Sequence, residues 1–195
     1  LNFEHQMDME LSKNSFPYFF QNVLGWEFAT HQQEWHELMN DTQRTVIICS
    51  RGHGKSVFMH SWVVWNLVFR EPPYQMLYIS SNQKQTLVHM RDIDKLFNHP
   101  MLKKFKPAKG WAIGNITLTN GNQILERSVG SQIRGLHPQE LSELRLVIQI
   151  FTNNLLKTLH ILLEHILVLM LLTNRYGRTD GIMMLLWQER LKSAL

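Results

Sequence analysis

The sequence predicts an α/β domain in which a mainly parallel sheet is flanked by helices on both sides. Three observations support this prediction. Short apolar runs typical of buried strands alternate with longer segments of helical periodicity. The first of these strands leads directly into a glycine-containing turn, and a strongly apolar segment follows it. Further along the chain, an Asn-Gly pair separates two strand-like runs, as in a tight β-hairpin.

The overall composition sets limits on the class of protein. The chain has 195 residues, enough for one domain with a core, and a formal charge of +4. This mild basic excess is compatible with a nucleic-acid partner. The single cysteine, Cys49, excludes an intrachain disulfide and a cysteine-based zinc site. The acidic residues Glu4, Asp8 and Glu10 near the start argue against a secretory signal, and the apolar residues 161–172 are too few to span a membrane.

The N-terminal third contains two helix-start signals. Residues 1–14 are polar and are predicted to form a flexible N-terminus. Ser15 is predicted to cap a short helix that carries Pro17 in its first turn and repeats aromatic residues at helical spacing. Thr30 is predicted to cap a second helix, with Gln33 three residues later completing a capping box.

A glycine-containing loop stands between the predicted strand 45–49 and the predicted helix 57–69. Strand, glycine loop and helix in this order bind phosphate, because the N–H groups of the loop and of the helix N-terminus point at one anion. We therefore predict a nucleotide-binding loop in which Lys55, facing solvent until a nucleotide binds, reaches the β- and γ-phosphates and Ser56 ligates Mg²⁺. The two glycines allow positive φ values and a close approach of the backbone to phosphate. The residues assigned to the loop are Arg51, Gly52, His53, Gly54, Lys55 and Ser56. The alternative is a chance Gly-Lys-Ser in a surface turn, since Cys49 occupies the usual position of the first glycine.

The Arg-Gly-x-Gly-Lys-Ser form of this loop resembles that of the large terminase subunit of tailed bacteriophages, the ATPase that drives DNA into the capsid. That family also has an arginine inside the loop, where Arg51 stands here. The resemblance implies a P-loop NTPase-type sheet and ATP with Mg²⁺ as cofactors. It also implies double-stranded DNA, other terminase subunits, a capsid portal and further copies of the chain as partners. The corresponding location is the cytoplasm of the infected host cell.

Three further segments resemble the same family. Gln32, with Gln33 as second choice, matches a glutamine that reads the adenine edge, where an amide both donates and accepts. The predicted strand 75–80 and the polar-capped helix 83–98 after it resemble a second motor motif. A Ser-x-x-Arg-Gly segment makes Arg134 the cation expected to face the γ-phosphate, and Lys55 and Arg134 are the predicted catalytic residues. The alternatives are a plain capped helix and an ordinary surface arginine.

A β-hairpin is predicted near residues 115–128, with Asn120 and Gly121 in its turn. A basic segment precedes it and has two interpretations. It is either a solvated loop or a contact with the DNA backbone. Its lysines are Lys103, Lys104, Lys106 and Lys109.

The resemblance covers about residues 16–138 and then stops. Family members continue with an apolar strand that ends in acids, which hold Mg²⁺ and orient the attacking water. Here the apolar run 146–151 is followed by Thr152 and two asparagines. The composition also changes, because leucine becomes much more frequent after Pro138 than before it.

These observations divide the chain into a flexible start, an ATPase core over residues 15–138, and an atypical Leu-rich tail over residues 139–195 that is predicted to pack as helices. A reading-frame shift near Pro138 is one interpretation of the tail. The predicted function is the ATP-binding motor domain of a DNA-packaging terminase that binds Mg·ATP but hydrolyses it slowly. The alternatives are a hydrolysis-deficient nucleotide-binding fragment and another helicase-like motor.

Overall fold

A computed structural model of the chain describes residues 3–41, 44–49, 52–80, 83–128, 143–152 and 182–188. Within these residues the chain forms a mixed α/β structure with a single sheet of six strands. The strands are β1 (Arg44–Cys49), β2 (Tyr74–Ser80), β3 (Asn115–Thr117), β4 (Gln123–Ser128), β5 (Glu143–Thr152) and β6 (Ile182–Gln188). The helices are α1 (Phe3–Asn14), α2 (Phe16–Tyr18), α3 (Thr30–Asp41), α4 (Lys55–Phe69) and α5 (Gln83–Leu96).

The strand order across the sheet is β1-β6-β5-β2-β4-β3. Every neighbouring pair is parallel except β3 with β4, which pair antiparallel across the turn at Asn120 and Gly121. The predicted α/β class and the predicted hairpin are therefore confirmed. Helix α4 connects the parallel strands β1 and β2, and the chain between β2 and β4 contains α5. Parallel strands need such long connections, because the chain must return to the same end of the sheet.

The core lies between the sheet and helices α4 and α5. All seven residues of β2 are buried, as expected of a central strand with covered faces. Tyr74, Met76 and Tyr78 of β2 join the main core cluster together with α4. Helix α4 is apolar nearly all round, and most of its residues are buried, as its sequence predicts. No helix in the described ranges is both long enough and apolar enough to cross a membrane.

The N-terminus differs from the predicted flexible segment. Residues 3–14 form helix α1, and hydrogen bonds join it to the rest of the chain. The Trp65 indole N–H donates to the Ser12 carbonyl oxygen at 2.7 Å. The Tyr18 hydroxyl donates to Asp8 Oδ1 at 2.8 Å. The polar composition of the segment does not indicate this helix, because its partner, Trp65 of α4, lies far along the chain.

The predicted cap at Ser15 is confirmed, since its Oγ accepts a hydrogen bond from the Tyr18 N–H at 3.2 Å. Helix α2 continues directly into a π-helical turn, Phe19–Val23, in which the Leu24 N–H donates to the Phe19 carbonyl at 3.0 Å. The wider turn belongs to an aromatic cluster against α4. The rings with centroids 5.2 to 6.0 Å from that of Phe16 are Phe20, Phe28, His36, Phe58 and Trp65.

The predicted helical tail is wrong for the two described segments in it. Residues 143–152 and 182–188 are the strands β5 and β6. The apolar run 146–151 is therefore a strand, and β6 separates it from β1. In the register of the sheet, Cys49 of β1 pairs with Trp187 of β6, which pairs with Phe151 of β5. Leucine favours helix only weakly, and sheet pairing overrides that preference here.

Candidate functional site

The glycine loop joins the end of β1 to the start of α4, and residues 52–54 of it are described. Gly52 has φ +87° and Gly54 has φ +68°, both in the left-handed region that favours glycine. Gly54 is also the N-cap of α4, and its carbonyl oxygen accepts from the Phe58 N–H at 2.9 Å. The positive φ values expected at both glycines are confirmed.

The loop lies at the carboxyl end of the parallel strands, where ligands bind in open α/β folds. At this end β1 finishes at Cys49, β2 at Ser80 and β5 at Thr152. Helix α4 begins there at Lys55, and the N–H groups of its first turn are directed out of the helix N-terminus. Backbone N–H groups and the helix dipole together favour a bound anion at such a position.

Lys55 does not face solvent as predicted. It is the first residue of α4 and is 4% exposed. Side chains of a helix lean toward its N-terminus, which for α4 is the glycine loop, and here the Lys55 side chain is buried. Burial lowers the pKa of Lys55 to about 8, against a smaller opposite effect of the Cys49 thiol. An amine held in a low-dielectric position binds an anion more strongly than one in water.

Cys49 is half-buried at the end of β1. Burial raises the pKa of its thiol, and the neighbouring Lys55 amine opposes that effect. The thiol is therefore the neutral form at neutral pH. It fills the position where the phosphate loops of related sequence pattern carry their first glycine.

The first turn of α3 is capped differently from the prediction. Thr30 lies inside the helix, and Ala29 is the residue whose carbonyl accepts from the N–H groups of Gln32 and Gln33. Gln32, not Gln33, reaches back to the cap, and its Oε1 accepts from the Ala29 N–H at 3.1 Å. The Gln33 amide instead donates to Glu37 Oε1 at 3.1 Å on the exposed side of α3.

Gln32 lies against the glycine loop. It is 5% exposed, and a β-carbon added to Gly54 would stand only 2.8 Å from Gln32 Nε2. Real β-carbons essentially never approach a heavy atom so closely. The amide thus lies against the end of the loop that leads into α4. Its assignment to the adenine edge stays a prediction.

A second contact between α3 and the loop has no signal in the sequence. His31 Nε2 lies 3.0 Å from the His53 carbonyl oxygen. The two rings meet edge to face with centroids 5.6 Å apart. Because the two positions are far apart in the chain, neither periodicity nor a motif indicates the pairing.

The remaining predicted nucleotide ligands are only partly described. Ser56 is the second residue of α4 and is half-buried. Arg51 and Arg134 lie outside the described residues, and their roles stay predictions. In the described part of the chain, no group of three or more His, Cys, Asp or Glu residues is arranged to hold a metal ion.

The four lysines of the basic segment differ from one another. Lys106 Nζ pairs with Asp94 Oδ1 at 2.6 Å and lies 4.8 Å from the centre of the Trp111 ring. The Trp111 indole N–H donates to the same Asp94 oxygen at 2.7 Å. Lys106 is therefore part of the packing between α5 and this segment. The exposed members are Lys103, Lys104 and Lys109.

Two buried histidines join α4 to α5. His60 Nε2 and His89 Nδ1 are 3.1 Å apart, and both rings pack near Tyr78 of β2. Burial lowers the pKa of His60 to about 3 and that of His89 to about 4, so both are neutral at neutral pH. The same burial raises the pKa of the Tyr78 hydroxyl. The pair thus ties α4 to α5 next to β2.

No protein-family model matches the chain, and no curated protein matches it in sequence. Among solved structures, the chain is similar to the large terminase of bacteriophage HK97, with a TM-score of 0.59 and 13% sequence identity. The match covers 83% of this chain and 33% of the terminase, so the chain spans about a third of that protein's length. At this identity the likeness is one of fold. The loop sequence resembles that of large terminases, and the fold of the chain is also similar to that of one of them.

Proposed function

We propose that this chain is the ATP-binding motor domain of a DNA-packaging terminase. One observation carries the proposal: a glycine loop with two left-handed glycines leads into α4, whose first residue is a lysine with an enclosed amine. A buried cation next to the N–H groups of a helix N-terminus suits a polyphosphate. The similarity in fold to a phage large terminase agrees with this class of protein.

In this proposal, Lys55 binds the β- and γ-phosphates, Ser56 ligates Mg²⁺, and the backbone N–H groups of the loop hold the phosphate oxygens. Arg51 and Arg134 supply further positive charge. Double-stranded DNA contacts the exposed lysines of the basic segment. The motor works with further copies of itself, other terminase subunits and a capsid portal, in the cytoplasm of the infected host cell.

A titration of the intact chain with Mg·ATP tests the phosphate site. Lys55→Met keeps an unbranched apolar stem in the enclosed position and removes the charge, so the fold should survive. We expect ATP affinity to fall at least about tenfold, as for a charge-assisted contact to phosphate. Lys95→Met changes an exposed lysine in the last turn of α5, at the far end of that helix from the carboxyl end of β2, and should bind as the parent chain does. Equal affinities for Lys55→Met and the parent would exclude this site.

A second candidate is a hydrolysis-deficient nucleotide-binding domain. The sequence places Thr152 and two asparagines at the end of β5, where a motor of this class has carboxylates. Water without a general base is a poor nucleophile, so turnover suffers more than binding. A single-turnover assay with saturating enzyme separates the candidates. Tight binding with negligible phosphate release favours the second, and release on the scale of seconds favours the motor.

A further inference from the structure

Helix α3 holds the glycine loop through two consecutive residues of its first turn. His31 Nε2 lies 3.0 Å from the His53 carbonyl oxygen. Gln32 Nε2 lies so close to Gly54 that a β-carbon there would meet it at 2.8 Å. The two contacts flank the peptide group that joins His53 to Gly54. Gly54 is the N-cap of α4 and immediately precedes Lys55, the first residue of that helix.

The direction of the histidine hydrogen bond is determined by its partner. A carbonyl oxygen only accepts, so His31 Nε2 carries the proton and donates. In a trans peptide, the C=O and the following N–H point to opposite sides. Because the His53 carbonyl is directed at His31, the Gly54 N–H is directed away from α3. An anion-binding loop needs its successive N–H groups turned to one side, and a single flipped peptide would present a carbonyl oxygen to the phosphate instead.

The histidine is itself held in place. Its ring packs edge to face on Trp35, with centroids 4.9 Å apart. Trp35 in turn packs on Phe58 of α4, with centroids 5.5 Å apart. Gln32 is buried, and its Oε1 is anchored by the Ala29 N–H. The donor and the loop are therefore fixed to the same two helices.

We propose that His31 is a positioning residue for phosphate binding: it keeps the His53–Gly54 peptide in the orientation that turns the Gly54 N–H toward the anion. This inference rests on the proposed nucleotide site. The effect is confined to the phosphate end, so it is the same for any polyphosphate and does not depend on the base. Gln32 supports the same peptide from the side of Gly54.

The test compares Mg·ATP with Mg·tripolyphosphate, which has no base or sugar. His31→Leu removes the donor, and His31→Gln keeps an N–H donor on a side chain of similar reach. We expect His31→Leu to weaken both ligands by about 3- to 10-fold, the usual effect of removing one hydrogen bond. His31→Gln should bind both nearly as tightly as the parent. Glu34→Gln, on the exposed side of α3, is the matched control and should bind both ligands normally.

Each other outcome is decisive. Parent-like binding by His31→Leu overturns the inference and leaves the nucleotide site intact. If His31→Leu weakens the binding of ATP but not of tripolyphosphate, His31 acts on the base or sugar of the nucleotide, and the inference is also overturned. An equal weakening in His31→Gln and His31→Leu shows that the ring, not the donor, matters, and likewise overturns it. If the parent chain binds neither ligand, the proposed function itself fails. Thermal unfolding of each variant verifies that the fold is retained.

Discussion

At the residue scale, Lys55 carries the clearest chemical signature. Its pKa of about 8 follows from burial. Phosphate oxygens next to the amine would favour the charged form, so a nucleotide bound at the proposed site should raise this pKa. ATP affinity should therefore be constant below about pH 7 and fall as the pH rises above 8, because the free amine must first take up a proton.

Calorimetry at pH 8.5 in buffers of different ionisation enthalpy measures this proton directly. With a pKa near 8 in the free chain, binding should take up about three quarters of a proton. The triphosphate itself is fully ionised at this pH and contributes none. Lys55→Arg keeps a permanent charge and should show no uptake where it binds. Uptake that persists in this variant would assign the proton to another group.

Some residues of the site are predictable from their neighbours in sequence and others are not. Gly52 and Gly54 are predictable, because a loop between strand and helix needs positive φ at such positions. The burial of Lys55 is not, because it depends on how distant parts of the chain pack around the start of α4. The contact of His31 with His53 joins residues far apart in sequence, and no local pattern indicates it.

At the scale of elements, the histidine pair between α4 and α5 makes stability depend on pH. The pKa values of about 3 and about 4 lie below the ordinary value of 6.5. The folded chain keeps both rings neutral, whereas the unfolded chain protonates them below pH 6.5. Stability from the pair is complete above that pH and is lost as the pH falls toward 4. Two protons correspond to at most about 2.7 kcal/mol per pH unit.

Urea unfolding at pH 7, 6 and 5 gives this slope. The double variant His60→Leu with His89→Leu has no imidazole to protonate between the helices, so its stability should fall less steeply with decreasing pH. Other acidic groups act equally on both chains and cancel in the comparison. An equally steep decline in the double variant would show that the pair does not govern the acid response.

The basic segment after α5 supports a prediction on DNA binding. Lys103, Lys104 and Lys109 are exposed, whereas Lys106 is paired with Asp94. Replacing the three exposed lysines by alanine should weaken binding to all DNA sequences alike. The log–log salt slope should flatten by about 0.9 for each phosphate that the lysines no longer neutralise.

Lys106→Ala is the matched control in the same segment. It should leave the salt slope unchanged and lower the stability by at most about 1 kcal/mol, since its ion pair is partly solvated. A triple variant with the slope of the parent would identify the segment as a solvated loop. The sequence shows the cluster but cannot tell these lysines apart, because the pairing partner lies on another helix.

At the scale of the whole molecule, α4 packs over β2, the strand next to β5. His60 lies five residues after Lys55, about 7.5 Å along the helix, and packs near Tyr78 of β2. Strand β5 is the neighbour of β2, and Thr152 ends β5 one residue beyond the level of Cys49. The end of β5 therefore lies at the same end of the sheet as the loop, although β6 separates β5 from β1.

We therefore predict that Thr152→Asp raises single-turnover ATP hydrolysis, because a carboxylate there can hold Mg²⁺ through water and orient the attacking water. We expect the single-turnover rate to rise at least about tenfold. A general acid or base usually contributes more than this. Thr152→Asn introduces a side chain with the shape of aspartate but without its charge, so turnover should not change. Equal rates for the two variants would show that the end of β5 does not place a carboxylate where it can act on Mg²⁺ or on the attacking water.

The parts of the fold that depend on nearby residues are predictable from the sequence, and those that depend on distant pairing are not. The hairpin turn at Asn120 and Gly121, the cap at Ser15 and the apolar helix after the loop all follow from local patterns. Strand β6 is different. It pairs with β1, although more than a hundred residues separate the two strands in the sequence. Its Leu- and Met-rich composition suits a helix equally well.

Among the described strands, β1 is at one end of the sheet and pairs with β6 alone. A terminal strand has hydrogen bonds on one side only, so it opens to solvent at lower free energy than a central strand. Amide deuterium uptake in β1 should then slow when a ligand binds the loop at its end. The amides of β2, held between β5 and β4, exchange only when the whole sheet opens. The strand that carries the loop is thus the one whose local stability should change most when the ligand binds.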